Sequence, residues 1–175
     1  MEGQYCYQYP RPAVTTDFGF DGEVLKVLLV ERGGEPYKGC WAFPGGFLNM
    51  DETTDECAVR ELEEETGLKD VFVEQLQAFS DVDRDPRGRT ITVAYYALVN
   101  PVGMNVAGYD DAADARWFAL SDMPSLAFDH EHVLQVALHR LALKVYLQLN
   151  GIEKLDEHFK GFDLKRLKDL ILDKL

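Results

Sequence analysis

Six consecutive residues, Arg60-Glu61-Leu62-Glu63-Glu64-Glu65, place five ionic side chains around little more than one helical turn. Residues three and four apart share a helix face, so Glu61, Glu64 and Glu65 converge on one edge. Like charges at that spacing repel, which disfavours the helix in isolation. A solvated acidic face is the plainest reading of such a run. Here, however, the run follows a glycine-rich turn, Pro44-Gly45-Gly46, and a capping-type segment, Asp51 to Thr54. It also lies beside an apolar stripe of Ala58, Val59 and Leu62 that packs the helix. A packed helix with three carboxylates on one edge suits a hard divalent cation with oxygen ligands. Mg²⁺ prefers near-octahedral oxygens and keeps several waters, so it usually comes with a phosphate-bearing substrate. Arg60 is placed to pair with Glu52 or Glu61 and fix their rotamers.

The elements that must position these groups follow from pattern. Thr53–Thr66 reads as a helix with no internal Gly or Pro, and Gly67 sits where a helix-ending glycine belongs. Glu23–Glu31 is a buried strand by its apolar run. Gly33–Gly39 is a turn-rich loop, and Trp41–Phe47 a short apolar segment. Val71–Ala78, Thr90–Val99 and Arg116–Leu120 read as further strands. His132–Leu149 and Phe162–Leu175 carry apolar residues at helical spacing. The expectation is an α/β fold with a mixed sheet and about three helices. Residues 1–12, with Tyr5, Tyr7 and Tyr9, read as an extended arm.

Composition narrows the function classes. The chain has 175 residues, which suits one domain with a sizeable core. Lys and Arg number 18 against 31 Asp and Glu, a net charge of −13. That argues against a nucleic-acid partner or an anionic membrane surface, and any phosphate-bearing ligand then needs metal ions or a local basic cluster. Cys6, Cys40 and Cys57 form no CxxC pair and read as reduced thiols of a cytoplasmic protein. Neither a signal core nor a membrane-length apolar stretch is expected from the pattern.

Gly46, five residues, Glu52, seven residues, then Arg60-Glu61-Leu62-Glu63-Glu64-Glu65-Thr66-Gly67-Leu68 resembles the Nudix box at every fixed position. The resemblance covers roughly Pro12 to Leu149. It implies a Nudix-type α/β/α sandwich over residues 13–149, with 1–12 an N-terminal arm and 150–175 a C-terminal helical extension. It implies Mg²⁺- or Mn²⁺-dependent hydrolysis of a nucleoside diphosphate linked to another moiety. By motif position, Gly46 (through its carbonyl), Glu61 and Glu65 become metal ligands. Glu64 becomes a ligand or the base that activates water, and Glu52 and Arg60 support them. Cations neutralise a diphosphate that a chain of this charge would otherwise repel.

The substrate must be read outside the box. Arg84, Arg87 and Arg89 fall within six residues, in Arg84-Asp85-Pro86-Arg87-Gly88-Arg89. A solvated hairpin turn explains them on charge alone. Arginine is also the side chain that grips phosphate bidentately. The stretch from Ser80 to Tyr96, and Gly108-Tyr109-Asp110-Asp111-Ala112 before Arg116-Trp117-Phe118, resemble the ADP-ribose pyrophosphatase branch. Arg32, Arg87, Arg89 and Asp111 are therefore the candidate substrate contacts, with products AMP and ribose 5-phosphate. Asp110 and Asp114 are the neighbouring carboxylates. Trp41 and Phe43 are candidate base platforms that also fit a core role. Related enzymes are often dimers with crossed N-terminal segments, which the aromatic arm would suit.

Two alternatives stay open. Leu126-Ala127-Phe128-Asp129-His130 also resembles bacterial regulators that sense ADP-ribose with a Nudix domain and carry a C-terminal winged helix. The 26 residues from Asn150 to Leu175 read as too few for that module, and their six acids balance six Lys and Arg. The other alternative is a nucleoside triphosphate pyrophosphohydrolase. One local departure stands out: Asp17 runs straight into Phe18-Gly19-Phe20-Asp21-Gly22, so the first strand is expected to be about three residues short of its relatives.

Overall fold

The computed structural model describes residues 12–109, 112–152 and 159–175, with side chains described from Asp17 onward. The aromatic arm and the dimer expected of it lie outside the described residues, as do Asp110 and Asp111.

Among the described residues seven strands form one mixed sheet: β1 (Pro12–Phe20), β2 (Leu25–Arg32), β3 (Trp41–Ala42), β4 (Gly45–Phe47), β5 (Glu74–Phe79), β6 (Thr92–Val99) and β7 (Ala112–Ala119). The path β3-β2-β1-β6-β5 runs across it, with β4 paired to β1 and β7 to β2. β1 and β6 are parallel, in register from Ala13 opposite Val93 to Gly19 opposite Val99, and the other pairings are antiparallel. The first strand runs on past Asp17. β1 is nine residues long, because Phe18-Gly19-Phe20 continue it. Phe18 and Phe20 are fully buried, and Gly19 lies where a Cβ would press on Trp117. The expected strand at Arg116–Leu120 is likewise longer: β7 starts at Ala112 and follows β2 from Lys26 to Arg32. The Trp41–Phe47 segment is two strands with different neighbours, β3 on β2 and β4 on β1.

Among the described residues three helices cover the sheet: α1 (Thr54–Thr66), α2 (His130–Leu149) and α3 (Leu164–Leu172). Buried strands alternate apolar residues to two faces, and both faces here need a cover. Val27 and Leu29 of β2, with Ala94 and Tyr96 of β6, meet Val133, Ala137 and Leu141 of α2 and Leu167 and Ile171 of α3. On the other face Leu28 packs with Leu62 and Ala97, while Tyr95 packs with Cys57 and Ala58 of α1. The expected α/β/α sandwich is the observed architecture. The C-terminal segment adds to the main core, since Leu167 and Ile171 are fully buried in it.

β1 has a divided edge that shapes the site. Residues 12–14 pair with β4 and residues 18–20 pair with β2. The end of β2, the β4 turn and the acidic edge of α1 line one cavity of about 780 Å³.

Candidate active site

α1 begins where the sequence places a cap. The Thr53 side chain accepts from the Glu56 amide and Glu56 returns the bond to Thr53, a capping box that satisfies two helix-end donors. The Tyr95 hydroxyl donates to Asp55 and accepts from the Thr54 hydroxyl at 2.7 Å, fastening the first turn to β6. The helix ends on Gly67, whose φ of 77° lies in the left-handed region that glycine enters without a Cβ penalty. Ala58 and Leu62 are buried against the sheet, which turns Glu61, Glu64 and Glu65 toward the cavity they line.

Arg60 organises this edge. Its Nε and Nη2 hold the two oxygens of Glu52 at 2.8 and 2.5 Å. Its Nη1 donates to Glu61 and to Glu64, each at 2.8 Å, and Nη2 also reaches the Phe47 carbonyl at 3.2 Å. One planar guanidinium thus ties three carboxylates to the β4 turn, an arrangement a point charge cannot reproduce. The Arg60 hydrogen bonds hold the Glu52 carboxyl down to about 2, and the Asn49 amide adds to that pull. Burial pushes the Glu61 carboxyl up, against the opposing pull of Arg60. The carboxylates, Glu52 first, strengthen the hold of Arg60 on its own proton. Cys57 lies beneath the cluster, and burial with the nearby Glu61 and Glu52 charges pushes its thiol up to about 12. It is an inert core residue; Cys40 and Cys57 are both free thiols.

Glu65 is anchored separately, accepting from the Gly45 amide at 2.8 Å. Gly46 permits the close approach of helix and turn: a Cβ there would overlap the Glu61 carboxylate. The donor set matches a hard divalent cation in kind, with carboxylates of Glu61, Glu64 and Glu65 beside the Gly46 carbonyl. In the present rotamers Glu61 and Glu64 are turned onto Arg60. Among the described residues no group of three His, Cys, Asp or Glu side chains gathers as a ready ligand cluster. The Glu64 side chain is 47% exposed, so it is free to leave Arg60 for a cation in the cavity. The residues fit the group after that turn.

The rest of the cavity wall is cationic and aromatic. Arg87 is held by Asp85, with Nε at 3.0 Å and Nη2 at 2.8 Å, and its guanidinium lies over the rings of Phe47 and Phe128 at 5.6 and 5.2 Å. Burial alone would raise the Asp85 carboxyl, but the Arg87 hydrogen bonds and nearby Arg84 bring it below the usual range. Arg32 lies over Phe128 at 4.8 Å and donates to the Pro36 carbonyl at 2.9 Å. Phe128 adopts a positive φ of 54°, a costly conformation for an aromatic residue that its surroundings must impose. They do so on both sides: the Ala127 amide donates to the Trp41 carbonyl at 2.8 Å, and Arg84 grips Asp129 with two bonds of 2.9 and 2.6 Å.

The candidates named from sequence divide accordingly. Gly46, Arg60, Glu61, Glu64, Glu65, Arg32, Arg87 and Phe43 line the one cavity, and Glu52 supports it through Arg60. Arg89 is placed elsewhere, with Nη1 donating to the carbonyls of Ser80 and Asp81 at 2.7 and 3.1 Å. Trp41 packs edge-on to Phe118 and under Arg116, outside the cavity lining. Asp114 pairs with Arg116. Asp111 lies outside the described residues. Asp85 and His130 also line the cavity, without a sequence signature that places them there. Asp85 sits between two arginines, and His130 lies in a resembling string, but neither signal says where a distant loop docks.

The family model of the NUDIX domain matches residues 11–137. The chain belongs to the Nudix family. It is 42% identical over 127 residues to the ADP-ribose pyrophosphatase of Methanocaldococcus jannaschii, a match that covers 73% of each chain. It is 34% identical over 171 residues to the ADPR responsive transcriptional repressor NtrR of Acinetobacter baylyi, covering 94% of this chain and 68% of that protein. Among solved structures, the NUDIX domain of Shewanella oneidensis NrtR complexed with ADP ribose superposes with a TM-score of 0.71 at 32% identity, covering 78% of this chain and 90% of that one. The chain is a Nudix pyrophosphohydrolase by these relationships, of a family that uses divalent metal ions. Among the described residues no helix is long and apolar enough to cross a membrane.

Proposed function

We propose that this Nudix protein hydrolyses ADP-ribose to AMP and ribose 5-phosphate with Mg²⁺ or Mn²⁺ held by Glu61, Glu64, Glu65 and the Gly46 carbonyl. The observation that carries the reading is one cavity with an acidic helix edge and an arginine–aromatic wall. Its volume of about 780 Å³ lies within the roughly 300–1,000 Å³ of small-molecule sites. The similarity to an ADP-ribose pyrophosphatase and to an ADP-ribose-bound domain supports the substrate.

A bound divalent cation supplies charge neutralisation at the diphosphate and makes water acidic enough to attack phosphorus near neutral pH. The chain's residues do the rest. Glu64, half-exposed on the cavity edge, takes the proton of the attacking water through its carboxylate once it leaves Arg60. The water oxygen bonds one phosphorus, the bridging P–O bond breaks, and the bridging oxygen leaves on the other phosphate. Arg60 keeps Glu52 and Glu61 in place while Glu64 moves. Arg87, fixed by Asp85 and two rings, presents its remaining edge to a phosphate oxygen.

A substrate panel of ADP-ribose, NADH, dinucleoside polyphosphates, 8-oxo-dGTP and CTP, with Mg²⁺ or Mn²⁺, tests this. AMP from ADP-ribose is the expected result. Preferential release of pyrophosphate from a triphosphate overturns the substrate. The alignment with the repressor over 94% of the chain favours one other outcome, tight ADP-ribose binding without turnover, which would make the domain a sensor.

A further inference from the structure

His130, the first residue of α2, lines the cavity yet belongs to no part of the metal edge. Its ring stacks on Phe43 with centroids 5.1 Å apart and planes 15° from parallel. Its Nδ1 accepts a hydrogen bond from the Phe43 amide at 2.9 Å. An amide N–H is only a donor, so Nδ1 must carry the lone pair and the neutral ring carries its hydrogen on Nε2. Among the described residues Nε2 has no hydrogen-bond partner, and it is not one of the sealed polar atoms of the interior. Nε2–H is thus an unpaired donor on a residue that lines the cavity. Burial, with Arg84 and Arg32 close by, drives the imidazole pKa down to about 3, so the ring stays neutral at physiological pH. With its hydrogen on Nε2 and Nδ1 occupied, the ring has no lone pair to offer as a base.

We propose that His130 determines specificity: its Nε2–H donates to a hydroxyl of a sugar attached to the diphosphate in the cavity. The inference rests on the reading above that this cavity takes a sugar-bearing diphosphate. A neutral donor suits an uncharged acceptor, and the cavity already has arginines for the charged one. Position supports the same group. His130 hangs from the amide of Phe43 and Glu65 from the amide of Gly45, two residues apart. An extended chain puts those amides at most about 7 Å apart. A ligand whose phosphates lie at Glu65 presents its attached sugar, rather than a base one sugar farther on, at that distance.

The test pairs two substitutions with three probes. His130→Asn keeps an acceptor for the Phe43 amide and deletes the Nε2 donor. His130→Gln keeps a donor near the Nε2 position. Calorimetric binding is measured for ADP-ribose, for 5-phosphoribosyl diphosphate, which lacks a base, and for inorganic pyrophosphate, which lacks a sugar. His130→Asn is expected to weaken the two sugar-bearing probes roughly tenfold, the effect of one lost donor in a desolvated site, and to leave pyrophosphate unchanged. His130→Gln recovers part of the loss. Equal weakening of all three probes, weakening confined to ADP-ribose, or no weakening overturns the proposal. Nitrogen-15 NMR of the wild-type imidazole gives a second measurement if the variants fold poorly. The Nε2–H signal persists between pH 6 and 8 and moves with ADP-ribose but not with pyrophosphate; a titrating or unmoved signal overturns the proposal. Wild-type protein that binds ADP-ribose without hydrolysing it overturns the hydrolytic reading alone, and failure to bind any sugar diphosphate overturns both.

Discussion

Replacing Arg60 by lysine separates charge from geometry at the centre of the site. The guanidinium makes four hydrogen bonds to three carboxylates, between 2.5 and 2.8 Å, and a fifth to the Phe47 carbonyl at 3.2 Å. A lysine ammonium keeps the positive charge, so it still competes with a metal ion for Glu61 and Glu64. It cannot bridge both oxygens of Glu52 while reaching the other two residues. At least two charge-assisted bonds are lost. Such bonds contribute about 1.5–3 kcal/mol each when buried. The Arg60 side chain is 26% exposed and that of Glu64 47%, so solvent screening reduces the total. The expected loss of stability is about 1–3 kcal/mol, which leaves most of the protein folded if its stability is typical. Function should suffer more. With Glu52 unclamped and Glu61 free to rotate, kcat falls by roughly 10–100-fold and the metal concentration for half-maximal activity rises, as for other changes to groups that orient metal ligands. KM for the substrate changes far less. Urea denaturation gives the first quantity, and activity titrated with Mg²⁺ and Mn²⁺ gives the second. A variant with normal metal dependence and only a raised KM would show that Arg60 touches substrate, refuting the supporting role.

Further expectations follow from the same geometry. Glu65→Gln keeps an acceptor for the Gly45 amide and so stays folded, but loses a charged ligand; turnover should drop by orders of magnitude while the thermal melt is nearly unchanged, and full activity would remove Glu65 from the site. The Glu52 carboxyl is lowered from 4.5 to about 2 in the folded protein, so its pairing stabilises fully above about pH 4.5 and is lost as pH falls toward 2. Urea midpoints at pH 6 and pH 3 should fall further in the wild type than in Glu52→Gln. Arg87→Ala should raise KM and reduce its salt dependence, whereas Arg89→Ala, whose guanidinium lies on loop carbonyls, should leave KM within about twofold because it removes no cavity contact.

What the sequence made legible was set by distance along the chain. The capping box at Thr53, the stripe of Ala58 and Leu62, and the acidic edge of Glu61, Glu64 and Glu65 all lie within one helix and its flanks, where spacing alone fixes who shares a face. The pairing of Arg60 with Glu52 was legible for the same reason, eight residues apart across a single cap. The first strand runs on through Gly19, whose place is fixed by a neighbour far away in the chain. The role of Gly19 is steric, allowing Trp117 of β7 to lie close. Arg87 and Arg89 are indistinguishable in sequence, two arginines in one turn. The difference arises because Asp85 and the rings of Phe47 and Phe128 receive one, and backbone carbonyls receive the other. His130 shows the limit most clearly. Its tautomer depends on an amide 87 residues away, and its neutrality on burial beside arginines from β2 and the β5–β6 loop. Those are properties of the docked loop, in which Arg84 bonds Asp129 and the neighbouring Phe128 adopts a positive φ. The metal edge is therefore written locally in the chain, whereas the wall that would select a substrate is a product of tertiary assembly.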